Sequence, residues 1–248
     1  MHTLAKLTLV EIKLFIREPI TLFFTFALPI LFLFVMGGVF GNVSDGFEGF
    51  RGLPAMDFYT PAYVALVLTS VGVVGLPGHL TGYREKGVLR RFRASSLSTW
   101  RVFGAQGLVS LATAAVGGLI VVIAGFAAFN VSLPHSPGLV FAGFLVSALS
   151  FASLGILLGT LLPTSRAAQG VGLVLFFVML ILGGAGPPQE LMTHAMRVVG
   201  DFTPLQHAVT LLQDAWLGFG WNWAEFGILA GILTVSLSAS TLIIRRNS

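Results

Sequence analysis

The fold class is decided by residues 102–129, which read VFGAQGLVSLATAAVGGLIVVIAGFAAF and contain no Asp, Glu, Lys or Arg. A helix crosses a bilayer core about 30 Å thick with roughly 20 consecutive apolar residues. This run is long enough to do so, and it has no charged side chain that would favour contact with water. It therefore predicts a helix that spans a membrane.

Similar runs occur along the whole chain. Together they predict six spans, at residues 20–41, 58–81, 102–129, 138–162, 170–187 and 223–244. The 248 residues are 55% hydrophobic and 10% charged, whereas a soluble protein carries about 25% charged residues. We expect an all-α integral membrane protein in which residues 1–248 form one domain.

Proline and glycine add local detail to these spans. Pro29, Pro61 and Pro77 fall inside them and predict kinks, because proline removes a backbone hydrogen bond. Two pairs of glycines spaced four apart, Gly155 with Gly159 and Gly227 with Gly231, predict faces where helices pack closely.

The basic residues predict the orientation. All but two of the Lys and Arg residues fall on one side of the six predicted spans, and Arg51 and Arg197 fall on the other. The residues on the basic side are Lys6, Lys13, Arg17, Arg84, Lys86, Arg90, Arg91, Arg93, Arg101, Arg166, Arg245 and Arg246. Cytoplasmic loops carry such an excess, so we expect both termini in the cytoplasm. The net charge of +4 then follows from topology, and nucleic acid is not an expected partner.

The first 18 residues form a separate segment before the first span. Lys6, Lys13 and Arg17 share one face of a helix, and apolar residues fill the other faces. This pattern predicts an amphipathic helix that lies in the membrane interface. The alternative is that these residues are only the positive flank of the first span.

Two segments between spans contain more than a simple connection needs. Residues 83–101, YREKGVLRRFRASSLSTWR, mix basic and apolar positions and are typical of a docking surface for another protein. Residues 183–209 begin with GGAGPP, continue through an amphipathic stretch and break again at Thr203 and Pro204. This second segment is too broken to span, and we expect it to dip into the outer leaflet and return.

These segments resemble the ABC transporter type-2 permeases. The stretch Arg84-Glu-Lys-Gly-Val-Leu-Arg-Arg-Phe-Arg-Ala-Ser95, followed by Leu97 and Ser98, is similar to the cytoplasmic signature of that family. The glycine-proline ending of the fifth span is similar to the family's outer segment. Arg90 stands where an acidic residue is common, Ser96 replaces a proline, and Thr203 replaces an asparagine.

The resemblance implies one half of an exporter. The loop would be a coupling helix seated in an ATP-binding subunit, which would also hold ATP and Mg²⁺. Its contact residues would be Arg84, Glu85, Lys86, Gly87, Leu89, Arg90, Arg91, Arg93, Ser95 and Leu97. The N-terminal helix would brace the same subunit. Two permease subunits, identical or related, would pair through the second and fifth spans in the cell membrane.

The outer segment would form an extracellular lid. Its lid residues would be Gly184, Pro187, Pro188, Glu190 and Pro204. Aromatic and methionine side chains suit an adaptable pocket for an amphipathic drug, antibiotic or lipid-like cargo. The candidates for the substrate path are Phe58, Tyr59, Tyr63, Phe176, Phe177 and Met179. The alternative is that these side chains pack between helices or face lipid, and a polysaccharide or glycolipid is the alternative cargo.

The motifs of other functional classes are missing from the sequence. It has no G-x-x-x-x-G-K-[ST] for ATP, no H-E-x-x-H and no Cys. We therefore expect no catalytic residue, metal or cofactor on this chain. An ion-coupled carrier would need ionisable groups near the midplane, and His79 and Glu225 are the nearest candidates. A membrane enzyme would need a cluster of acidic, histidine or serine residues at one interface.

Overall fold

The structure is a computed structural model that describes residues 18–42, 50–87, 99–188 and 191–246, with only the backbone of residues 99–103. Helices form nearly all of this part of the chain. They are α1 (Pro19–Phe40), α2 (Ala55–Glu85), α3 (Thr99–Phe129), α4 (Pro137–Leu161), α5 (Ser165–Leu182), α6 (His194–Gly200), α7 (Pro204–Leu217) and α8 (Trp223–Arg246).

By length and composition, 6 of these helices can cross a membrane: α1 to α5 and α8. No strand occurs among the described residues. The predicted all-α fold with six spans is therefore confirmed, and the chain is a multi-pass membrane protein.

The helix of the fifth span differs from the sequence-based bounds at both ends. The sequence predicted about 170–187, whereas α5 begins at Ser165 and ends at Leu182. The hydroxyl oxygen of Thr164 accepts a hydrogen bond from the backbone N–H of Ala167 at 3.1 Å and starts the helix earlier. Gly184 has φ +77° just beyond the helix end. Apolarity continues past the point where glycine lets the backbone turn.

The second span, α2, lies at the centre of the bundle. Helices α1, α3, α4, α5 and α7 all pack against it, and α8 packs on α4 and α7. Of the apolar stretch of α2, 94% is buried inside the chain, against 17% for α8. The surface of the chain that faces lipid therefore belongs to the other spans.

Two spans contain a wider, π-helical turn just before a proline. In α1 the turn covers Phe23–Ala27 and precedes Pro29, and in α2 it covers Ser70–Gly75 and precedes Pro77. A proline ring clashes with the carbonyl four residues earlier, and a π-turn moves that carbonyl aside. The two turns touch, because the hydroxyls of Thr25 and Ser70 share a hydrogen bond of 2.7 Å.

Glycines of α4 and α5 sit directly on the π-turn of α2. A Cβ added to Gly155 would overlap the carbonyl oxygen of Gly72, and one added to Gly172 would overlap that of Val73. Farther along α4, a Cβ on Gly159 would come within 2.9 Å of Leu80. The predicted packing face at Gly155 and Gly159 is therefore present. By contrast, Gly227 and Gly231 of α8 have nothing within 4 Å of such a Cβ and form no contact face within the described chain.

We predict that Gly155→Ala and Gly172→Ala each destabilise the fold, by about 1–3 kcal/mol, because the added methyl group meets backbone that cannot move aside. The measurement is the midpoint of thermal unfolding in detergent. Gly170→Ala is the matched control on α5, since nothing lies within 4 Å of its Cβ position. Equal midpoints for Gly172→Ala and Gly170→Ala would contradict the packing described here.

Candidate functional site

Arg84 connects the last turn of α2 to the carboxyl end of α4. Its Nη1 donates to the carbonyl oxygens of Gly159 at 2.9 Å, Thr160 at 2.8 Å and Leu162 at 3.2 Å. The last carbonyls of a helix lack partners within the helix, and the helix dipole favours a cation there. Arg84 therefore caps α4 from a neighbouring helix.

Glu85 connects the end of α2 to the amino end of α5. Its Oε2 accepts from the backbone N–H of Ser165 at 3.1 Å and from the Ser165 hydroxyl at 2.8 Å. The first N–H groups of a helix lack partners, and the dipole favours an anion there. Arg84 and Glu85 thus bind the two helix ends that flank the α4–α5 turn (residues 162–164).

The chain leaves α2 immediately after this contact. The side chain of Lys86 is exposed, and Gly87 has φ +65°, a left-handed conformation that favours glycine. Its N–H donates to the carbonyl oxygen of Arg84 at 3.2 Å and closes the helix end. Residues 88–98 then lie outside the described residues.

Several predicted site residues fall in undescribed segments, and their roles stay predictions. These are Lys6, Lys13, Arg17, Leu89, Arg90, Arg91, Arg93, Ser95, Leu97 and Glu190. Of the predicted contacts for an ATP-binding subunit, the structure places Arg84 and Glu85 against the α4–α5 turn of the same chain. Sequence reasoning missed these contacts, because Ser165 is far from Glu85 along the chain.

Of the residues predicted to form an outer lid, Gly184 and Pro204 lie around the start of α7. The hydroxyl oxygen of Thr203 accepts from the N–H of Gln206 at 3.4 Å, and Pro204 occupies the first turn of α7, where its missing N–H is harmless. Gly184 packs close to the side-chain oxygen of Gln206. At Pro188, the carbonyl oxygen accepts from the N–H of Leu191 at 3.1 Å. Pro187 follows α5 in the same connection.

The break at Thr203 was predicted, and the structure has it as the N-terminal cap of α7. Most of α7 is buried, and it packs on α2, α4 and α8. Whether this segment dips into the outer leaflet stays a prediction.

Two polar clusters at the same end of the bundle were not predicted. In the first, Arg51 donates to Asp214 at 2.7 Å, and the same carboxylate accepts from the side-chain amide of Asn222 at 2.9 Å. The guanidinium carbon of Arg51 also lies 5.4 Å from the centre of the Phe219 ring. This cluster ties the residues before α2 to the end of α7.

The second cluster surrounds Asp57, which is buried near the start of α2. Its two carboxylate oxygens accept from the backbone N–H and the hydroxyl of Ser132, each at 2.8 Å. The indole N–H of Trp216 donates to the Ser132 carbonyl oxygen at 3.1 Å. The sequence placed these residues on one side but contained no signal for their pairing, because they come from three separate segments.

The candidates for the substrate path are mostly buried inside the chain. Tyr59 and Tyr63 stack with their ring centres 5.5 Å apart and their planes 7° apart. Phe58, Phe176 and Met179 are buried as well, whereas Phe177 is 43% exposed. Side chains of this set therefore pack between helices, and Phe177 alone among the six presents a substantial surface.

The two ionisable residues considered for a carrier each have a partner near the end of a span. His79 Nδ1 lies 3.3 Å from a carboxylate oxygen of Glu18, and His207 Nδ1 lies 2.5 Å from Glu225. Within the described ranges, His, Asp and Glu side chains form no group of three that could hold a metal ion.

The sequence profile of the ABC-2 type transporter family matches residues 4–217. The chain belongs to this family. The match contains α1 to α7, and with them both the loop after α2 and the segment between α5 and α8. This match confirms the resemblance that the loop signature indicated. ABC-2 type proteins are membrane components of transporters.

Two known proteins are similar to this chain in sequence. The chain is 26% identical over 172 residues to the probable multidrug ABC transporter permease YbhR of Escherichia coli strain K12, a match that covers 66% of this chain and 46% of YbhR. It is 24% identical over 225 residues to Nodulation protein J of Rhizobium leguminosarum bv. viciae, which covers 88% of this chain and 84% of that protein. This ABC-2 chain therefore matches about half the length of YbhR.

We predict that Asp57→Ala lowers the stability of the protein by about 1–3 kcal/mol, because it removes the buried carboxylate that accepts two hydrogen bonds from Ser132. Asp57→Asn keeps an oxygen that can accept from the Ser132 N–H, so it should stay close to the wild type. Thermal unfolding in detergent measures both, with Asp201→Ala as an exposed acidic control. An Asp57→Ala protein as stable as Asp57→Asn would contradict the role of this cluster.

Proposed function

We propose that this chain is the permease subunit of an ATP-driven exporter and that a separate ATP-binding subunit supplies the energy. The family match over residues 4–217 carries the proposal, since it includes both the spans and the loop after α2. ATP and Mg²⁺ would be bound by the partner subunit. This chain would undergo conformational change and perform no covalent chemistry.

The basic loop is the proposed docking surface for that subunit. Arg90, Arg91 and Arg93 follow α2 within a few residues, and complementary charge favours and orients protein association. The amphipathic residues before α1, with Lys6, Lys13 and Arg17, would brace the same partner.

The described ends of the helices support a cytoplasmic position for this loop. The hydrogen bonds of Arg84 and Glu85 connect the end of α2 with the end of α4 and the start of α5. Ile244 near the end of α8 packs against the cluster of Leu76, Leu80 and Ile156. One end of the bundle therefore carries basic residues of three helices: Arg84 of α2, Arg166 of α5, and Arg245 and Arg246 of α8. We assign this end, together with both termini, to the cytoplasmic face of the cell membrane.

A second permease subunit would pack on α5. The resemblance implied pairing through the second and fifth spans, but α2 is enclosed by its own chain. On α5, four exposed apolar residues, Val171, Val174, Val178 and Ile181, recur at alternating intervals of three and four. Such spacing forms one stripe along a helix, which suits packing against the same helix of a second copy.

The proposed cargo is an amphipathic small molecule such as a drug, an antibiotic or a lipid-like compound. One relative is named as a probable multidrug permease, which favours this class, and the other is named for nodulation. Phe177 on α5 is the candidate path residue that could meet cargo between two copies. A polysaccharide or glycolipid is the alternative cargo.

We predict that the tagged chain, purified from its native membrane in mild detergent, carries a stoichiometric ATP-binding subunit. Replacing Arg90, Arg91 and Arg93 together with Gln should remove that subunit, because the loop loses its charge. The matched control replaces Arg245 and Arg246 with Gln, which removes basic residues from the same end of the bundle but not from the loop.

Three outcomes separate the hypotheses. ATP hydrolysis by the purified complex that rises with amphipathic cations supports a small-molecule exporter. A rise with glycolipid alone supports the alternative cargo. A chain that purifies alone and still moves cargo in vesicles under an ion gradient contradicts the proposal and indicates a carrier.

We also predict that a single cysteine in the α5 stripe links two copies. The natural sequence has no Cys, so Val171→Cys, Val174→Cys, Val178→Cys and Ile181→Cys can each be oxidised in membranes and examined for a dimer on a denaturing gel. At least one should form a disulfide-linked dimer. Val235→Cys on α8, which is as exposed, is the control, and equal linking at Val235 would contradict pairing through α5.

A further inference from the structure

We propose that Arg84 and Glu85 form a clamp that carries motion of the loop after α2 into α4 and α5. They would act as positioning residues within this chain, not as contacts for the ATP-binding subunit. The inference rests on the proposed function, in which that subunit moves the loop. The observation behind the inference is that both side chains form hydrogen bonds with the helix ends on either side of the α4–α5 turn.

The signs of the two charges match the two helix ends that they hold. Arg84 faces the carboxyl end of α4, where three carbonyl oxygens accept from one guanidinium nitrogen. Glu85 faces the amino end of α5, where a single serine supplies two donors. A cation at a carboxyl end and an anion at an amino end are both favourable. Exchanging the charges would make both contacts unfavourable.

Close backbone packing extends the contact along α2. Below the clamp, Leu80 lies over Gly159 of α4, and a Cβ on Gly78 would come within 3.4 Å of Gln169 of α5. Farther along, α4 and α5 meet the π-turn of α2 through glycines, as described above. The end of α2 is therefore packed between α4 and α5, and the clamp fixes it at the tip.

The clamp also lies at the base of the loop. Only Lys86 and Gly87 separate Glu85 from residues 88–98, and Gly87 turns the backbone away from the helix axis. A displacement of the loop therefore reaches Glu85 and Arg84 first. Because these side chains are bonded to α4 and α5, the displacement is shared by three spans instead of one.

The test compares Ser165→Ala with Thr241→Ala, which removes a hydroxyl that bonds to the Leu237 carbonyl oxygen of its own helix α8, in the complete complex, reconstituted in vesicles. Ser165→Ala removes one of the two bonds to Glu85 from the far side of the clamp. We expect it to lower the cargo moved per ATP hydrolysed by about twofold, because it removes one of the two hydrogen bonds to Glu85 and an exposed bond of this kind contributes little. Binding of the ATP-binding subunit should not change. Thr241→Ala should leave the cargo moved per ATP at the wild-type value.

Further variants separate coupling from folding. Ser165→Thr keeps the hydroxyl and should restore the wild-type ratio. Glu85→Ala should lower the ratio at least as much as Ser165→Ala, and the double variant Glu85→Ala with Ser165→Ala should be no worse than Glu85→Ala, because both substitutions break the same contact. If the contact between Glu85 and Ser165 served only folding, both Ala variants would instead have a lower folded yield, and their ATP hydrolysis and transport would fall together.

Two results would overturn the clamp. One is a wild-type ratio of transport to ATP hydrolysis in Ser165→Ala. The other is weaker binding of the ATP-binding subunit to Glu85→Ala with no loss in Ser165→Ala, which would make Glu85 a direct contact. Both results are compatible with the proposed function as an exporter subunit. A wild-type chain that binds no ATP-binding subunit would overturn that function.

Discussion

The architecture depends on the contact between the π-turn of α2 and the glycines of α4 and α5. Lipid tails are as apolar as leucine, so burial of apolar surface alone does not hold spans together. Close backbone approach does, and it requires residues without a side chain at the point of contact. Gly155 and Gly172 meet this requirement at the carbonyls of Gly72 and Val73. The proline at position 77 explains why the turn of α2 is wide at this level.

Polar groups follow a division between the middle and the ends of the spans. In the middle, hydroxyls bond back to helix carbonyls, as Thr69 does to Ala65 at 3.0 Å. Ser150 also links two helices, since its hydroxyl lies 2.8 Å from the carbonyl oxygen of Val146 on α4 and 2.8 Å from that of Leu229 on α8. Charged groups occur at the ends, where water is close and a carboxylate or guanidinium loses less hydration. The two ends of α2 are therefore the places where charge can link helices.

These two ends differ in a way that suits transport. At the end where α2 begins, Asp57 binds the segment between α3 and α4, and nearby Arg51 binds Asp214 at the end of α7. At the other end, Arg84 and Glu85 bind the turn between α4 and α5. A central helix that is bonded at both ends passes a displacement on to the segments that it contacts. This gives a physical reason for a docking loop at the position proposed above, directly after α2.

The sequence by itself determined that the chain spans a membrane six times, because lipid tolerates only long apolar helices. It also determined the family, through the signature that begins at Arg84, and the break at Thr203 that starts α7. It placed the end of the fifth span at about residue 187, beyond the helix end at Leu182, since apolar residues continue after Gly183. Only the tertiary structure decided that Gly155 packs and Gly227 does not, and that Glu85 meets Ser165. The physical reason is that periodicity and charge act locally along the chain, whereas such pairs depend on which helix faces which.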